Sequence, residues 1–461
     1  MIRLFKHYVP HAVLLLGLFD LILLGLAAEL AWELRASQIG IDAGTVLDRI
    51  GWLAGISAVV MTAMISVGIY GADSLRSMRF AGARLLVAVS LAILALSFID
   101  FALGGETFWR STLLYTMALA IVFLMANRLI VGGLLGTSAF RRRILVLGAG
   151  LRANRLRKLG DRRESSFAIV AYVAMTDAER VVDEAISRDT IPDLAQFVEK
   201  MGAVEVVLAL EERRNALPLK DLLRVKTAGV HVNDFSTFLE RETGRVDLDT
   251  LNPSWLIFSD GFSSGRAISS VLKRMFDMVA SAILLLFALP VIAVFACLVK
   301  LDSKGPAFFR QMRVGIYGQP FELIKLRSMR SDAEKDGSKW AVKDDPRITR
   351  LGRFIRKLRI DELPQAWNVL CGQMSFVGPR PEVPAFVEDL EDKLPYYAER
   401  HMVKPGITGW AQINYPYGAS IEDSRQKLEY DLYYAKNYTP FLDLLILLQT
   451  LRVILWHEGA R

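Results

Sequence analysis

The residues best able to do chemistry lie together at positions 359–384, R-I-D-E-L-P-Q-A-W-N-V-L-C-G-Q-M-S-F-V-G-P-R-P-E-V-P. Asp361 and Glu362 are adjacent carboxylates, and one of two neighbouring acids needs a cation or a proton to relieve the repulsion. Arg380 stands between Pro379 and Pro381. An arginine so fixed loses little entropy when it grips a phosphate in fork geometry. The chain just upstream is basic: residues 303–360 hold 15 Lys or Arg against 6 Asp or Glu, a larger excess than the +7 of the whole chain. A hard divalent cation on a carboxylate, ringed by arginines, suits a substrate that carries phosphates. A second reading involves no chemistry. In it Asp361 caps a helix over residues 363–370, with Glu362 favourable in the first turn.

Two further stretches favour the chemical reading. F-E-L-I-K-L-R-S-M at 321–329 reads as a short strand delivering Lys325 and Arg327, and K-P-G-I-T-G-W-A-Q at 404–412 as a Pro-Gly turn followed by Gly409 and Trp410. From about residue 271 to 461 the ordered motifs resemble one family. They are a basic-flanked apolar helix with Pro290, K-L-D-S-K-G-P-A-F-F-R-Q, K-L-R-S-M, D-E-L-P-Q, G-P-R-P-E and P-G-I-T-G-W-A-Q. The family is that of the bacterial sugar transferases that move a sugar-1-phosphate from a nucleotide sugar to polyprenyl phosphate. Two positions depart from it: Leu289 precedes Pro290 where many members have serine, and Leu326 replaces a frequent phenylalanine.

The resemblance implies an aspartate nucleophile, here Asp361, with Glu362 holding or orienting Mg²⁺ (Mn²⁺ as an alternative) and Asp361 sharing the metal. It implies Arg380 as the phosphate grip, Lys325, Arg327 and Arg356 as secondary phosphate contacts, and Pro290 as the bend of a re-entrant membrane helix. The implied substrates are a UDP-sugar, with UDP-glucose the first expectation, and undecaprenyl phosphate. The implied setting is cell-surface polysaccharide assembly, with its assembly proteins as partners.

Elements must position these groups, and composition says where. With 461 residues the chain holds two or three domains. Its 52% hydrophobic content and mean hydropathy of +0.31 point to membrane segments. The pI near 9.3 then fits an anionic bilayer face rather than nucleic acid, for which there is no motif. Two cysteines and five histidines supply neither a disulfide framework nor a zinc site.

Four apolar runs, residues 11–31, 50–70, 82–102 and 111–131, are each long enough to cross a bilayer as a helix. The first is too long for a cleaved signal, lacks an A-x-A exit and is followed by more spans. Arg3, Lys6, Arg76, Arg79, Arg84, Arg128 and Arg141–Arg143 fall on one side, against Arg35, Arg49 and Arg110 on the other. That bias places the N-terminus and the segment after span four in the cytoplasm; the resemblance implies that the membrane is the bacterial inner membrane. Asp20 lies inside the first span, and its role divides evenly between helix packing and function.

Residues 141–246 read as a small Rossmann-like domain, with strands at 144–147, 167–174, 204–210 and near 229–232. Its G-x-G-x-x-A turn carries Gly148 and Gly150, with Asp177 where a ribose-binding acid would lie. Such a turn is weak evidence by itself. Either the glycines only turn the chain or they bind a nucleotide, and NAD is not expected. The same domain is a candidate homodimer contact. Residues 247–270 read as a linker, and 271–461 as a mainly helical, membrane-associated catalytic domain. Within it 346–359 reads as a helix with a cationic stripe of Arg347, Arg350, Arg353 and Arg356 or Lys357, suited to a membrane surface, a phosphate wall or plain solvent. Residues 441–456 read as a packed or interfacial helix rather than a span.

The expected fold is thus a transmembrane helical bundle (1–140), a Rossmann-like domain and a catalytic domain with a re-entrant helix. Two other function classes stand beside the transferase. A membrane-anchored NAD-dependent nucleotide-sugar epimerase or dehydratase would need a Y-x-x-x-K, which the chain lacks. A non-catalytic assembly scaffold would tolerate loss of Asp361.

Overall fold

The computed structural model describes the whole chain except residues 1, 5–6, 10, 71–77, 103–109, 140, 163–164, 176–179, 212–216, 252–266, 334–344, 417, 419 and 457–461. Asp177 and most of the linker expected over 247–270 therefore lie outside the described residues. The chain divides into two compact units, which part after Gly244.

The first unit begins with four long helices: α1 (His11–Ile39), α2 (Ile50–Ser66), α3 (Met78–Ala102) and α4 (Arg110–Ala139). Stretches of 21 to 27 residues along them, counting for α2 the 3-10 turn Val46–Arg49 that leads into it, are long and apolar enough to cross a membrane. Small and branched residues such as Ala27, Val60, Ala88, Ala92 and Ala120 fill the seams between helices. Leu18, Phe19, Leu94, Phe98 and Leu114 face outward, as a lipid-facing surface requires.

Asp20 does have partners. Arg128 Nη2 donates to its Oδ2 at 2.6 Å, Tyr70 Oη to Oδ2 at 2.7 Å and Asn127 Nδ2 to Oδ1 at 2.8 Å. A carboxylate at this depth is tolerable only when so satisfied, which favours a packing role that ties α1 to α4. Arg128 is consequently removed from the loop-charge count, because it lies buried within the bundle. Arg49 is likewise buried and paired with Glu29. The remaining loop bias keeps its sign.

The same unit contains a five-stranded parallel sheet. Its strands are β1 (Arg142–Leu147), β2 (Phe167–Ala174), β3 (Ile186–Ser187), β4 (Glu205–Leu208) and β5 (His231–Asp234), in the order β3-β2-β1-β4-β5. Helices α5 (Leu151–Gly160), α6 (Leu194–Lys200), α7 (Leu219–Thr227) and α8 (Phe235–Thr243) accompany it, with buried clusters on both faces. A sheet covered on both sides reads as unbroken apolar runs, which is why 144–147 was legible as a strand.

The second unit is organised along one helix, α9 (Ala267–Asp302), which runs on through Pro290. One face of it, including Ala288, Ile292 and Val299, packs on Leu326 and Ile355. Leu286, Phe287, Leu289 and Val294 are exposed on the other. Both ends are held by the same unit. Near the start, Lys273 Nζ donates to Asp443 Oδ2 at 2.6 Å, and Arg274 donates to the carbonyls of Val369 and Leu370. Asp277 accepts from Ser375 Oγ and the Phe376 amide. At the far end Arg327 donates to the carbonyls of Val299 and, just past the helix, Ser303 and Lys304. Lys273 and Arg274 are therefore internal ties of the fold, not charges left to face lipid headgroups.

Around α9 lie a hairpin of β6 (Phe308–Val314) and β7 (Pro320–Leu326), helix α10 (Arg350–Lys357) and helix α11 (Gln365–Leu370). Strand β8 (Ser375–Val377) follows, then α12 (Pro384–Lys393). Next is β9 (Gly406–Thr408), parallel to β8, and α13 (Trp410–Asn414). Last come α14 (Ile421–Asn437), capped by Ser420 and Asp423 as their spacing suggests, and α15 (Pro440–Trp456). Leu442 and Ile446 of α15 are buried in the core, and Asp443 meets Lys273, so this helix is packed, not spanning.

Candidate active site

A cavity of about 1240 Å³ opens in the second unit, bordered by Asp361, Glu362, Lys325, Arg356, Arg359 and Arg380. The acidic pair sits in a single 3-10 turn, Ile360–Glu362. Arg359 starts that turn with φ +57°, a left-handed conformation that is costly for a residue with a β-carbon. The turn closes by Glu362 N donating to Arg359 O at 3.2 Å. Helix α11 begins after it, with Pro364 at its N-cap. Asp361 is thus not the cap that the bland reading made it. It stands one turn too early.

The two acids are treated differently by their surroundings. Oε1 of Glu362 faces Arg359 Nη1 at 3.3 Å, Arg380 Nη2 at 3.3 Å and Lys325 Nζ at 3.8 Å. Burial alone would raise the Glu362 carboxyl, but Arg380, Lys325 and Arg359 together pull it down to about 2. Asp361 is only 8% exposed, and its Oδ1 is buried with no hydrogen-bond partner among the described residues. Burial, then the charge of Glu362, pushes its carboxyl up to about 6. Two carboxyls driven apart in this way take different roles: one stays a fixed anion, while the other is available to a proton, a cation or an electrophile.

No group of three His, Cys, Asp or Glu that could hold a metal exists among the described residues. The donor set still fits a hard cation of the magnesium type, which takes one or two carboxylates and completes its shell with water and substrate phosphates. The orphaned Asp361 oxygen is the observation that supports this fit.

Lys325 reaches the site from β7, and burial, followed by the nearby Arg380, lowers its ammonium to about 8. The strand is fixed by Asn368, whose Oδ1 accepts from Ile324 N and whose Nδ2 donates to Glu322 O. Arg356 borders the cavity from α10, whereas Arg350, Arg353 and Lys357 are exposed. The helix expected over 346–359 begins only at Arg350. Before it, Ile348 bridges to Met329, and Arg347 forms an ion pair with Asp345 at 2.6 Å.

Arg327 needs a correction. It lies at the cavity edge, but its Nη atoms donate to the end of α9 and to Ser303 Oγ. There it caps the carbonyls that a helix end leaves unsatisfied, and those N–H groups are not offered to a phosphate. Gly305, at φ +126°, is needed beside it, because a β-carbon would lie 2.1 Å from Arg327 Nη1.

Two of the motifs meet backbone to backbone. Gly378 N donates to Thr408 O, and Gly406 N to Pro379 O, both at 2.9 Å. A β-carbon on Gly378 would come 2.1 Å from Lys404 O. G-P-R-P and P-G-I-T-G therefore depend on each other's glycines.

The Gly148 turn lies in the other unit. Gly148 has φ +127°, and a β-carbon there would lie 2.5 Å from Ala209 O, so the glycine serves close packing. Gly150 is the N-cap of α5, and the amide of Leu151 donates to Glu211 Oε1 at 2.6 Å. A carboxylate of the chain itself thus occupies the helix start, where a pyrophosphate would otherwise be received.

Comparison with known proteins gives two family matches. Residues 268–457 match the bacterial sugar transferase family, and residues 66–230 match a family described as a CoA-binding domain. Among relatives, an Aeromonas hydrophila UDP-N-acetylgalactosamine-undecaprenyl-phosphate N-acetylgalactosaminephosphotransferase is 43% identical over 240 residues, 52% of this chain and 56% of that protein. An uncharacterized sugar transferase of Bacillus subtilis, EpsL, is 45% identical over 195 residues, 41% of this chain and 91% of that protein. A Klebsiella pneumoniae UDP-glucose:undecaprenyl-phosphate glucose-1-phosphate transferase is 36% identical over 268 residues, 56% of each chain. The match thus spans little more than half the length of the first and third of these.

Proposed function

Because this chain belongs to the bacterial sugar transferase family, we propose that it transfers a sugar-1-phosphate from a UDP-sugar to undecaprenyl phosphate, starting a cell-surface glycan. The observation that carries the reading is the asymmetry of the acidic pair: Glu362 ringed by three cations, Asp361 holding a buried oxygen without a partner among the described residues. In the proposed reaction an Asp361 oxygen attacks the phosphorus bearing the sugar. The bond from that phosphorus to the UMP oxygen breaks, and UMP leaves with the electron pair. An oxygen of undecaprenyl phosphate then attacks the same phosphorus and expels the carboxylate, giving the lipid-linked diphosphosugar.

Arg380 grips a phosphate, Lys325 and Arg356 add positive charge, and Glu362 orients Arg380 and shares a divalent cation with Asp361. The cation, when bound, offsets charge on the phosphates, which a weak carboxylate nucleophile requires. The proposed location is the bacterial inner membrane, with the catalytic side in the cytoplasm. Dinucleotide binding by the central domain is not part of this reading, and the Glu211 contact supports its omission.

UDP-glucose is the first candidate donor and UDP-N-acetylgalactosamine the second, since relatives are named for both. Offered a panel of UDP-sugars with undecaprenyl phosphate, the purified full chain should form one lipid-linked diphosphosugar and release UMP. Failure to transfer from any UDP-sugar would overturn the reading.

We further propose that α9 enters the bilayer and returns rather than crossing it. Length alone would permit a crossing, as the apolar stretch covers 33 residues. Against it stand the contacts that hold both ends, at 273–277 and 299–304, to one folded unit. Pro290 lies between them, removing a backbone hydrogen bond and providing a natural place to bend. With Cys297 and Cys371 replaced, both Ser269→Cys and Ser303→Cys should resist a membrane-impermeant maleimide in intact cells. Labelling at position 303 from outside would mean that the helix crosses.

A further inference from the structure

We infer that Arg400 and Arg313 are positioning residues that aim Arg380 by holding the backbone of its loop; this rests on the proposed role of Arg380. Every carbonyl of residues 379–382 is engaged. Pro379 O accepts from Gly406 N at 2.9 Å, and Glu382 O from Val314 N at 3.0 Å. The two carbonyls between them go to guanidinium groups from separate elements. Arg380 O accepts from Arg400 Nη2 at 2.9 Å, and Pro381 O from Arg313 Nη1 at 3.0 Å.

Arg400 lies in a 3-10 turn, Ala398–Met402, and is 4% exposed. Its Nε and Nη2 donate to Asp431 Oδ2 at 3.1 and 2.8 Å, and its Nη1 to Tyr397 Oη at 3.2 Å. Those bonds engage all three of its nitrogens, so Arg400 is built into the protein rather than held out to a ligand. Burying an ion pair is a poor route to stability, because desolvation offsets most of the attraction. A guanidinium, unlike an ammonium, reaches a carboxylate and a carbonyl at once from one rigid fork. Asp431 on α14 therefore orients Arg400, Arg400 fixes the Arg380 carbonyl, and the flanking prolines pass that constraint to the direction of the Arg380 side chain. Arg313 does the same one residue on, from the hairpin.

The test is a double-mutant cycle on the full chain in nanodiscs, read as the affinity for UDP with Mg²⁺ by calorimetry, so that no turnover is needed. Arg400→Lys keeps the charge but not the fork, and should weaken UDP about tenfold, as contacting residues couple. In an Arg380→Ala background it should weaken UDP less than about twofold, because there is nothing left to aim. The same pattern is expected for Arg313→Lys, which serves if Arg400→Lys does not fold. An equal, additive loss in both backgrounds would overturn the inference. If Arg380→Ala leaves UDP affinity unchanged, it is the role given to Arg380 that fails, and the inference with it.

Discussion

Asp361→Asn should lower sugar-phosphate transfer by about 10³-fold or more, equivalent to roughly 4 kcal/mol of barrier at 1.36 kcal/mol per tenfold. The amide keeps the shape and volume of the carboxyl but removes the anionic oxygen proposed to form the bond to phosphorus. Because Asp361 Oδ1 has no partner among the described residues, the change breaks no hydrogen bond there. It also relieves the repulsion by which Glu362 raises the Asp361 carboxyl. The variant should therefore be folded, membrane-bound and no less heat-stable than the wild type. The measurement is transfer of radiolabelled sugar phosphate from UDP-sugar into lipid, with a thermal-unfolding control. Transfer within tenfold of wild type would remove Asp361 from the role of nucleophile. It would also revive the scaffold reading, in which the substitution is silent for polymer formation in cells. Glu362→Gln should behave differently: it strips an anion from beneath three cations, so a loss of stability should accompany the loss of rate.

What the sequence disclosed and what it hid divide along a physical line. Elements set by local pattern were legible: four apolar runs became α1 to α4, and the runs at 144–147 and 167–174 became adjacent parallel strands. The nearness of the acidic pair to Arg380 was legible because the motifs lie close in sequence: Glu362 and Arg380 are 18 residues apart and meet at 3.3 Å. Partnerships across long separations were not. Asp20 finds Arg128 over 108 residues, and Lys273 finds Asp443 over 170. Nothing in the local pattern distinguishes such a buried arginine or lysine from a loop charge. Arg327 was misread for that reason, since its motif resembles a phosphate contact while its targets are the last carbonyls of a helix more than 20 residues away. Arg400, Arg313 and Asn368 were missed because the contacts by which they hold the loop and the strand are to backbone atoms, which every residue carries and no spacing marks. An arginine beside the expected phosphate motifs, in R-H-M-V-K-P-G, was the available signal.

Removal of divalent cation should abolish turnover, and the dependence on pH should reveal where the cation binds. Two carboxylates, with no third ligand grouped near them among the described residues, make a weak site for magnesium on their own. A UDP-sugar brings the missing oxygens. Excess EDTA should therefore stop transfer completely, and Mg²⁺ or Mn²⁺ should restore it on addition. Mg²⁺ should bind the protein measurably tighter when UDP is present. Proton and cation then compete for Asp361. Its carboxyl is raised towards 6, so as pH falls through that value the anion is lost and with it both the proposed nucleophile and a proposed metal ligand. Glu362, held near 2 by its cations, stays charged throughout and contributes no change in this window. The acid limb of kcat/KM, which reports the free enzyme, should lie near pH 6 at limiting Mg²⁺ and move to lower pH as Mg²⁺ is raised. A limb that ignores Mg²⁺ concentration would place the cation away from Asp361, and full turnover in excess EDTA would remove it from the reaction.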